Sequence, residues 1–363
     1  MTRESAVADP HSMPGAATSR AGEGRRTESS NDLDHCEALW SMCVAIAQRR
    51  RQGLPAQAFS SDASGRVRMA QAVDASGSLD AIAAAAAEGE SEAAALRRRE
   101  PRTRRTTAEP DKEVLRVARR AGEGWQLAGD WSAQAREMFD LYRPLLDLAP
   151  GERYLLGHLG QSIDGRIATS SGDSCFINGQ QNLIHMHRLR ALCDAVLVGA
   201  GTVVADDPQL TTRLVPGPHA TRVVLDPSMR LTPDYRICGD GKCPTLIARL
   251  APALETACGR AEIIPAGACA AGIDLPGLLD CLAERGLHVI LVEGGGITVS
   301  RFLAQGLLNR LQIAIAPVII GSGRQGLQLP EVLALGDCLR PSCRHHRMGP
   351  DILWDLDLRA PTG

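Results

Sequence analysis

One stretch, Tyr154–Arg213, constrains the fold of this chain more than any other part of its sequence. It runs from an apolar strand through a glycine turn to a helix, then to a second strand, a second glycine turn and a loop rich in Asp, Thr and Arg. Strands that alternate with helices favour crossover connections and a mostly parallel sheet. Since the polar residues follow the apolar strands, we expect them at the ligand crevice of an open α/β sheet.

The same alternation continues to the C-terminus and predicts an α/β domain over residues 151–363. Strands are predicted at 153–160, 195–199, 222–226, 244–249, 288–292, 310–317 and 352–358, and helices at 182–192, 275–285 and 298–306. Aromatic residues make up only 3% of the chain, so the core is expected to be aliphatic, as in parallel sheets buried on both faces. We therefore predict a doubly wound, mostly parallel sheet.

The first 150 residues do not share this pattern. Residues 1–110 are rich in Gly, Ser, Ala and Pro, and they predict a largely disordered extension with helical patches at 33–51 and 79–99. Residues 111–150 predict a helical lead-in to the α/β domain. Its first helix is expected around Val114–Val117 and its second at 133–148, where Pro144 is expected to cause a break.

Charge and hydropathy exclude several classes of function. The 40 Lys and Arg residues balance the 42 Asp and Glu residues, so the net charge favours neither a nucleic acid nor a membrane as partner. No apolar run approaches the ~20 residues needed to span a bilayer. The N-terminus lacks the apolar segment of a signal peptide, which predicts a cytoplasmic protein.

The cysteines and histidines predict no metal site. None of the eleven cysteines forms a C-x-x-C pair, so we expect free thiols. His35-Cys36-Glu37 is similar to part of a zinc deaminase site, but the P-C-x-x-C segment that completes such a site is missing. We therefore expect no functional deaminase.

Three motifs carry a resemblance to a known family. These are the stretch Tyr154–Arg213, LVEGGG at Leu291–Gly296 and APVIIGSG at Ala316–Gly323. Together they resemble the reductase half of the bifunctional riboflavin-biosynthesis deaminase–reductases, over about 210 residues from Tyr154 to the C-terminus. The resemblance implies a dihydrofolate-reductase-like fold, NADPH as cofactor, a small-molecule substrate and a homodimer.

The resemblance also implies which residues contact the cofactor. They lie after predicted strands, and they are Gly160, Phe176, Thr202, Asp206, Gly294, Gly295 and Gly296. Glycines at a strand-to-helix turn let a phosphate approach the backbone, and the start of the helix supplies N–H donors. The alternatives are a purely structural glycine turn and a turn-capping role for Asp206. No basic residue is tied by spacing to a 2′-phosphate, so NADP and NAD both stay open.

A second set of residues is implied to hold the substrate. The set is Ser174, Arg190, Leu210, Arg213 and Glu293. Arginine suits a substrate that carries a ribosyl phosphate, because the guanidinium fork binds phosphate oxygens bidentately. The alternative for Arg190 is a surface charge on a helix. Glu293 is also a candidate catalytic residue.

His158 departs from the family pattern. The family usually has a lysine at this position, two residues before Gly160. A histidine can polarise a pyrimidine carbonyl only when it is protonated or donates its N–H. Two interpretations of His158 stay open: a catalytic residue with a pKa near 6–7, or a packed strand residue without a role in the reaction. Both water and His158 stay open as the proton donor.

The leading hypothesis is an NADPH-dependent reductase of 5-amino-6-(5-phosphoribosylamino)uracil. The cofactor would carry the chemistry and the protein would position the reactants. One alternative is a reductase of the same fold that acts on another pterin- or pyrimidine-like compound. Another is a non-catalytic module that senses NADPH or a related ligand.

Overall fold

The computed structural model describes residues 30–55, 58–61, 67–69, 114–174, 177–250, 257–270 and 272–359. The helices are α1 (Ser30–Arg51), α2 (Ala133–Leu146), α3 (Gln180–Leu192), α4 (Ala200–Asp206), α5 (Arg236–Gly239), α6 (Leu275–Glu284) and α7 (Gly296–Ala304). The first strands are β1 (Ala58–Ser61), β2 (Val67–Met69), β3 (Arg116–Arg120), β4 (Gly124–Ala128), β5 (Tyr154–Ser162), β6 (Arg166–Thr169), β7 (Ala195–Gly199) and β8 (Thr221–Leu225). The remaining strands are β9 (Thr245–Leu250), β10 (Glu262–Ala266), β11 (Ala268–Cys269), β12 (Gly272–Ile273), β13 (Val289–Glu293), β14 (Arg310–Ala316), β15 (Gly323–Gln325), β16 (Ser342–Met348) and β17 (Asp351–Asp357).

A nine-stranded sheet forms the centre of the molecule. Its strand order is β10-β9-β8-β7-β13-β5-β14-β17-β16. The seven strands from β10 to β14 are parallel, and β17 and β16 join antiparallel at one edge. The prediction of an α/β fold with a mostly parallel sheet is therefore confirmed.

Helices cover both faces of this sheet, as a doubly wound fold requires. α1, α2 and α3 pack on one face, where Leu156, Val196 and Leu291 point from the strands. α6 and α7 pack on the other face of the sheet. They contact Leu155 and other strand residues that alternate with those on the first face. Adjacent strand residues thus alternate between two apolar layers. Each fully buried aliphatic side chain contributes about 1.5–3 kcal/mol to the free energy of unfolding.

In the N-terminal region, the helical patch predicted at 33–51 is confirmed as α1, whereas the strands β1 and β2 were not predicted. α1 is a continuous helix whose Leu39, Met42 and Cys43 are fully buried against α2 and α3. The first four strands form an antiparallel sheet in the order β2-β1-β3-β4. The apolar residues of α1 are sufficient to order this helix because α2 and α3 cover them. The helix predicted at 79–99 lies outside the described residues.

The predicted helical lead-in at 111–150 is half correct. Residues near Val117 form strand β3, because Val117 and Ala118 are buried between β1 and β4 and pair with both. α2 confirms the second helix but continues through Pro144 to Leu146 instead of breaking. His35 accepts a hydrogen bond at Nδ1 from the backbone N–H of Ser132, the N-cap of α2, at 3.0 Å.

Several short elements were not predicted. β16 is an edge strand with mostly exposed polar residues, so it lacks the apolar alternation that identifies a strand. β10 contains Pro265, which is tolerated because β10 is the other edge. α4 occupies the start of what was predicted as a loop. Within the described residues, no helix is long and apolar enough to cross a bilayer.

Candidate functional site

The candidate site lies where three neighbouring strands, β7, β13 and β5, end. The chain order reverses here, since the chain continues outward from β7 to β10 and returns to β13. Open α/β sheets bind ligands at such a switch point. Gly199 precedes α4 and Gly295 precedes α7, and neither helix has a side-chain N-cap. The first N–H groups of α7 therefore receive no side-chain oxygen.

Thr202 joins the two glycine turns. Its Oγ1 accepts a hydrogen bond from the backbone N–H of Gly295 at 3.1 Å. Gly294 has a φ of 139°, a conformation that favours glycine. The structure thus brings Thr202 together with the glycine triplet, as the sequence predicts for the cofactor side of the site.

The three glycines of the triplet serve different purposes. A Cβ at Gly295 would meet only Thr202 Oγ1, at 3.5 Å, so the backbone here is open to a ligand. A Cβ at Gly296 would instead collide with the carbonyl oxygen of Gly326. Gly296 is therefore needed for packing against the segment around β15. The open turn and the start of α7 fit the pyrophosphate of a dinucleotide.

Arg190 and Glu293 form a buried ion pair that the sequence did not predict. Arg190 donates from Nε to Glu293 Oε2 at 2.9 Å, and its Nη2 contacts Oε1, so the pair is bidentate. Arg190 Nη1 also donates to the carbonyl of Thr211 at 3.2 Å. The two side chains are only 10% and 18% exposed. Arg190 is therefore not a surface charge, and it fixes the carboxylate of Glu293 at the end of β13.

Arg213 is the more accessible of the two predicted arginines. Its Nη1 donates to Thr211 Oγ1 at 3.0 Å. Among the described residues it forms no ion pair with a carboxylate. Burial lowers the pKa of Arg213, and the neighbouring charge of Arg190 lowers it further. Its guanidinium is therefore the group in this crevice that gains most from an anionic ligand.

His187 was not predicted as a site residue, although the structure places it between the two arginines. Its Nδ1 accepts a hydrogen bond from the backbone N–H of Arg213 at 2.8 Å. Burial, with the charges of Arg190 and Arg213, lowers the pKa of His187 to about 4. The ring is therefore neutral near pH 7 and can act as an acceptor. The sequence signal that could have identified His187 as a site residue is its position three residues before Arg190 on α3.

His158 does not have the environment that the sequence predicts. The side chain is 4% exposed and lies beneath α3, with Nε2 3.3 Å from Asn182 Oδ1. Burial lowers its pKa to about 4, with a further lowering by Arg190. The predicted pKa near 6–7 is wrong because the imidazole faces the packed layer under α3 instead of the open crevice.

The remaining predicted residues fall into four groups. Ser174 Oγ lies 3.5 Å from Asp206 Oδ1 at the end of α4, so these two residues are brought together. Leu210 is buried and has a positive φ of 51°, which shapes the loop before Thr211. A Cβ at Gly160 would collide with Asn178 Oδ1, so glycine is needed there for packing. Phe176 lies outside the described residues.

The loop after β8 also reaches the cofactor side and was not predicted. Arg230 is exposed, and its Nη1 lies 3.6 Å from the position of a Cβ at Gly201, in the first turn of α4. Asp226 holds this loop by accepting the backbone N–H of Arg230 at 2.7 Å. A cation therefore stands beside the glycine turn that follows β7.

The parallel sheet and the glycine turns at its switch point define an α/β protein with a ligand crevice at the carboxyl ends of its strands. The RibD C-terminal domain model matches residues 153–352, and the chain belongs to this family. The residues before 153, including α1 and α2, lie outside that match.

Curated relatives agree with this assignment. The 2,5-diamino-6-ribosylamino-4(3H)-pyrimidinone 5′-phosphate reductase of Methanothermobacter thermautotrophicus is 35% identical over 218 residues, which cover 57% of this chain and 99% of that protein. The riboflavin biosynthesis protein RibD of Mycobacterium tuberculosis is 32% identical over 203 residues, 54% of this chain and 52% of that protein. This chain thus matches only about half the length of that RibD protein.

A solved structure shows the same fold. The structure of Acinetobacter baumannii RibD superposes with a TM-score of 0.51 at 24% identity, and it covers 62% of each chain. The match confirms that the sheet and its helices have the arrangement of a RibD protein.

Proposed function

We propose that this chain is the NADPH-dependent reductase of riboflavin biosynthesis and acts on a phosphoribosylamino-pyrimidine. The observation that carries the proposal is the single crevice that holds the open Gly294–Gly295 turn, the Arg190–Glu293 pair and the free guanidinium of Arg213. Family membership and the 35% identity to a named reductase over nearly its full length support it.

The first substrate we propose is 5-amino-6-(5-phosphoribosylamino)uracil. The second is 2,5-diamino-6-ribosylamino-4(3H)-pyrimidinone 5′-phosphate, because the Methanothermobacter reductase of that name is covered over 99% of its length. Both carry a phosphate, for which Arg213 is the proposed anchor. Both also carry ribose hydroxyl groups, for which the carboxylate of Glu293 is the proposed acceptor.

The protein contributes positioning and charge. When bound, the nicotinamide cofactor supplies the hydride. Arg190 orients Glu293, and His187 fixes the backbone at Arg213, so the two substrate anchors are held before the ligand arrives. His158 is buried and uncharged near pH 7, so we propose water as the proton donor.

Arg230 supports NADPH over NADH. It is an exposed cation beside the first turn of α4, which is where a 2′-phosphate on the adenosine ribose would gain from it. We expect Arg230→Gln to raise the KM for NADPH about tenfold to a hundredfold and to leave the KM for NADH unchanged, since a charge-assisted contact is worth about 1.5–3 kcal/mol. Equal KM changes for both cofactors would contradict this assignment.

The function is tested by NADPH oxidation with each of the two pyrimidines. Turnover with either one supports the proposal and identifies the substrate. NADPH binding without turnover of either compound would favour a ligand-sensing module or another pterin- or pyrimidine-like substrate. Absence of both binding and turnover would contradict the proposal.

A homodimer is part of the proposal. Large apolar side chains are exposed on the segment between β14 and β16, and among them Ile319, Leu333 and Leu335 are 76%, 92% and 78% exposed. A monomer seldom exposes such a group of apolar residues. We expect a dimer by analytical ultracentrifugation and a shift to monomer in Leu333→Glu. Leu54→Glu, at an exposed position three residues after α1, should stay dimeric. A cytoplasmic location also stays a prediction.

A further inference from the structure

α1 makes an unusual contact with the end of the helix that carries Arg190. The last two residues of α1 are arginines, and both point at the C-terminal end of α3. Arg50 donates to the carbonyl of Leu192 at 2.9 Å, and Arg51 donates to the carbonyl of Ala191 at 2.9 Å. These carbonyls have no partner within the helix, so the two cations both satisfy them and complement the helix dipole.

The same two arginines reach the start of β13 through one carboxylate. Arg50 and Arg51 lie 3.2 and 3.0 Å from Asp194 Oδ1. The other oxygen, Oδ2, accepts the backbone N–H groups of His288 and Val289 at 3.1 and 2.8 Å. α1 is therefore fixed to the strand that ends at Glu293, as well as to α3.

α1 also contacts the loop that carries Arg213. The indole Nε1 of Trp40 donates to the carbonyl of Pro216 at 2.8 Å. Val44 Cγ2, one turn further along α1, lies 3.8 Å from the position of a Cβ at Gly217. Trp40 is only 4% exposed, so the donor of this hydrogen bond is buried, whereas Pro216 lies on the exposed loop. The loop leaves the site at Arg213 and meets α1 three residues later.

We propose that α1 is a positioning element that holds the two substrate arginines, Arg190 and Arg213, in one geometry. Its hydrogen bonds reach the C-terminal end of the helix that carries Arg190 and the loop that follows Arg213. α1 lies outside the residues that match the family, so this chain supplies the element itself. The inference rests on the proposed function, because it assigns α1 to the substrate half of that site.

A positioning role and a general role in stability predict different effects on the binding of substrate and of NADPH. A packing element would alter the KM for substrate and the KM for NADPH together. A positioning element for the arginines would alter only the KM for substrate, because a small displacement of an anchor weakens the ligand that it holds.

The test compares Trp40→Phe with Trp125→Phe. Both changes remove an indole N–H that donates to a backbone carbonyl. Trp40 donates to Pro216 in the loop after Arg213, and Trp125 donates to Leu146 at the end of α2, at 3.0 Å. Both indoles are buried, at 4% and 2% exposure. We expect Trp40→Phe to raise the KM for substrate about threefold to tenfold, the range for one net hydrogen bond, with the KM for NADPH unchanged.

Trp125→Phe is expected to lower the melting temperature as much as Trp40→Phe but to leave both KM values unchanged. Hydrogen exchange supplies a readout without activity: amides of residues 214–217 should exchange faster in Trp40→Phe than in Trp125→Phe. An equal rise of both KM values in Trp40→Phe, or no difference between the variants in either measurement, would overturn the inference.

Two controls separate the possible failures. A parent protein that turns over neither pyrimidine contradicts the proposed function, and the hydrogen exchange comparison still decides the role of α1. If Trp40→Phe does not fold, Val44→Ala carries the same test, since it keeps the indole hydrogen bond and shortens a side chain of α1 that lies beside Gly217.

Discussion

Arg213 shows at the scale of one residue how the site distributes its charges. Arg190 already has a bidentate carboxylate partner, whereas Arg213 has only hydroxyl and amide oxygens near its guanidinium. The desolvated cation without a carboxylate is the one that a phosphate can neutralise. For this reason we assign the phosphate to Arg213 and the orientation of Glu293 to Arg190.

We expect Arg213→Ala to raise the KM for substrate about tenfold to a hundredfold and to leave the KM for NADPH unchanged. The lost charge-assisted contact is worth about 1.5–3 kcal/mol. Steady-state kinetics with each ligand varied in turn measures the effect. Lys242→Ala is the matched control, because Lys242 is an exposed cation that also contacts Gln209 but lines a cavity with Arg222 and Thr245. An equal change in both KM values would place Arg213 in the cofactor site.

The residues of the site were largely predictable, but their pairing was not. Thr202, Glu293 and the glycines stand directly after apolar strands, so their positions follow from the strand pattern. Arg190 and Glu293 are separated by 103 positions, and no local pattern shows that they form a pair. The burial of His158 was missed for a similar reason: a strand residue next to the site can point to either face, and the packing of α3 decides which.

At the scale of elements, α1 changes the expectation for the N-terminal region. The composition of residues 1–110 predicts a largely disordered extension with two helical patches, and such an extension would be dispensable for catalysis. α1 instead contributes Leu39, Met42 and Ile46 to the apolar layer under α3, and each of these side chains is at most 3% exposed. Average composition failed here because one amphipathic helix within a polar region is enough to join a core.

We therefore expect deletion of residues 1–110 to prevent folding or to lower the melting temperature by more than about 10 °C. Loss of several buried aliphatic side chains costs more than the total stability margin of many domains, about 5–15 kcal/mol. Circular dichroism during heating measures this. Deletion of residues 1–29 alone, which keeps α1, is the control and should leave the melting temperature close to that of the parent. A folded, active protein after the longer deletion would contradict the role of α1.

The strands and helices of the sheet were predicted where apolar runs are long. Four fully apolar residues precede Glu293 in β13, and such a run has few alternatives to a buried parallel strand. β16 could not be found in this way, since SCRHHRM pairs only with β17 and leaves most of its side chains in water. Edge strands are formed by pairing, and pairing is not visible in a local window of sequence.

At the scale of the whole molecule, three buried histidines link stability to pH. Burial lowers the pKa of His158 to about 4, of His185 to about 3 and of His187 to about 4. His185 is held neutral between Tyr142 and Gln312, each at 2.8 Å. The unfolded chain, in which histidine has its ordinary pKa of 6.5, binds more protons than the folded chain between about pH 6.5 and the folded values.

Stability is therefore expected to fall as the pH decreases from about 6.5 towards 4. Each fully buried histidine contributes a slope of up to about 1.4 kcal/mol per pH unit. Urea unfolding at several pH values measures the slope. His185→Gln should reduce the slope relative to the parent, whereas His345→Gln, on an exposed position of β16, should leave it unchanged. A parent protein with equal stability at pH 6.5 and pH 5 would contradict this linkage.

The strand order of the central sheet has a consequence for synthesis on the ribosome. β5 lies between β13 and β14, so both of its neighbours are synthesised more than 120 residues after β5 itself. At about 5–20 residues per second, the two edges of β5 stay without partners for several seconds. During that interval the nascent chain presents open strand edges, which are sites of misassembly. α1 and α2 emerge earlier, so they are available to shelter one face of β5 while its neighbours are still being translated.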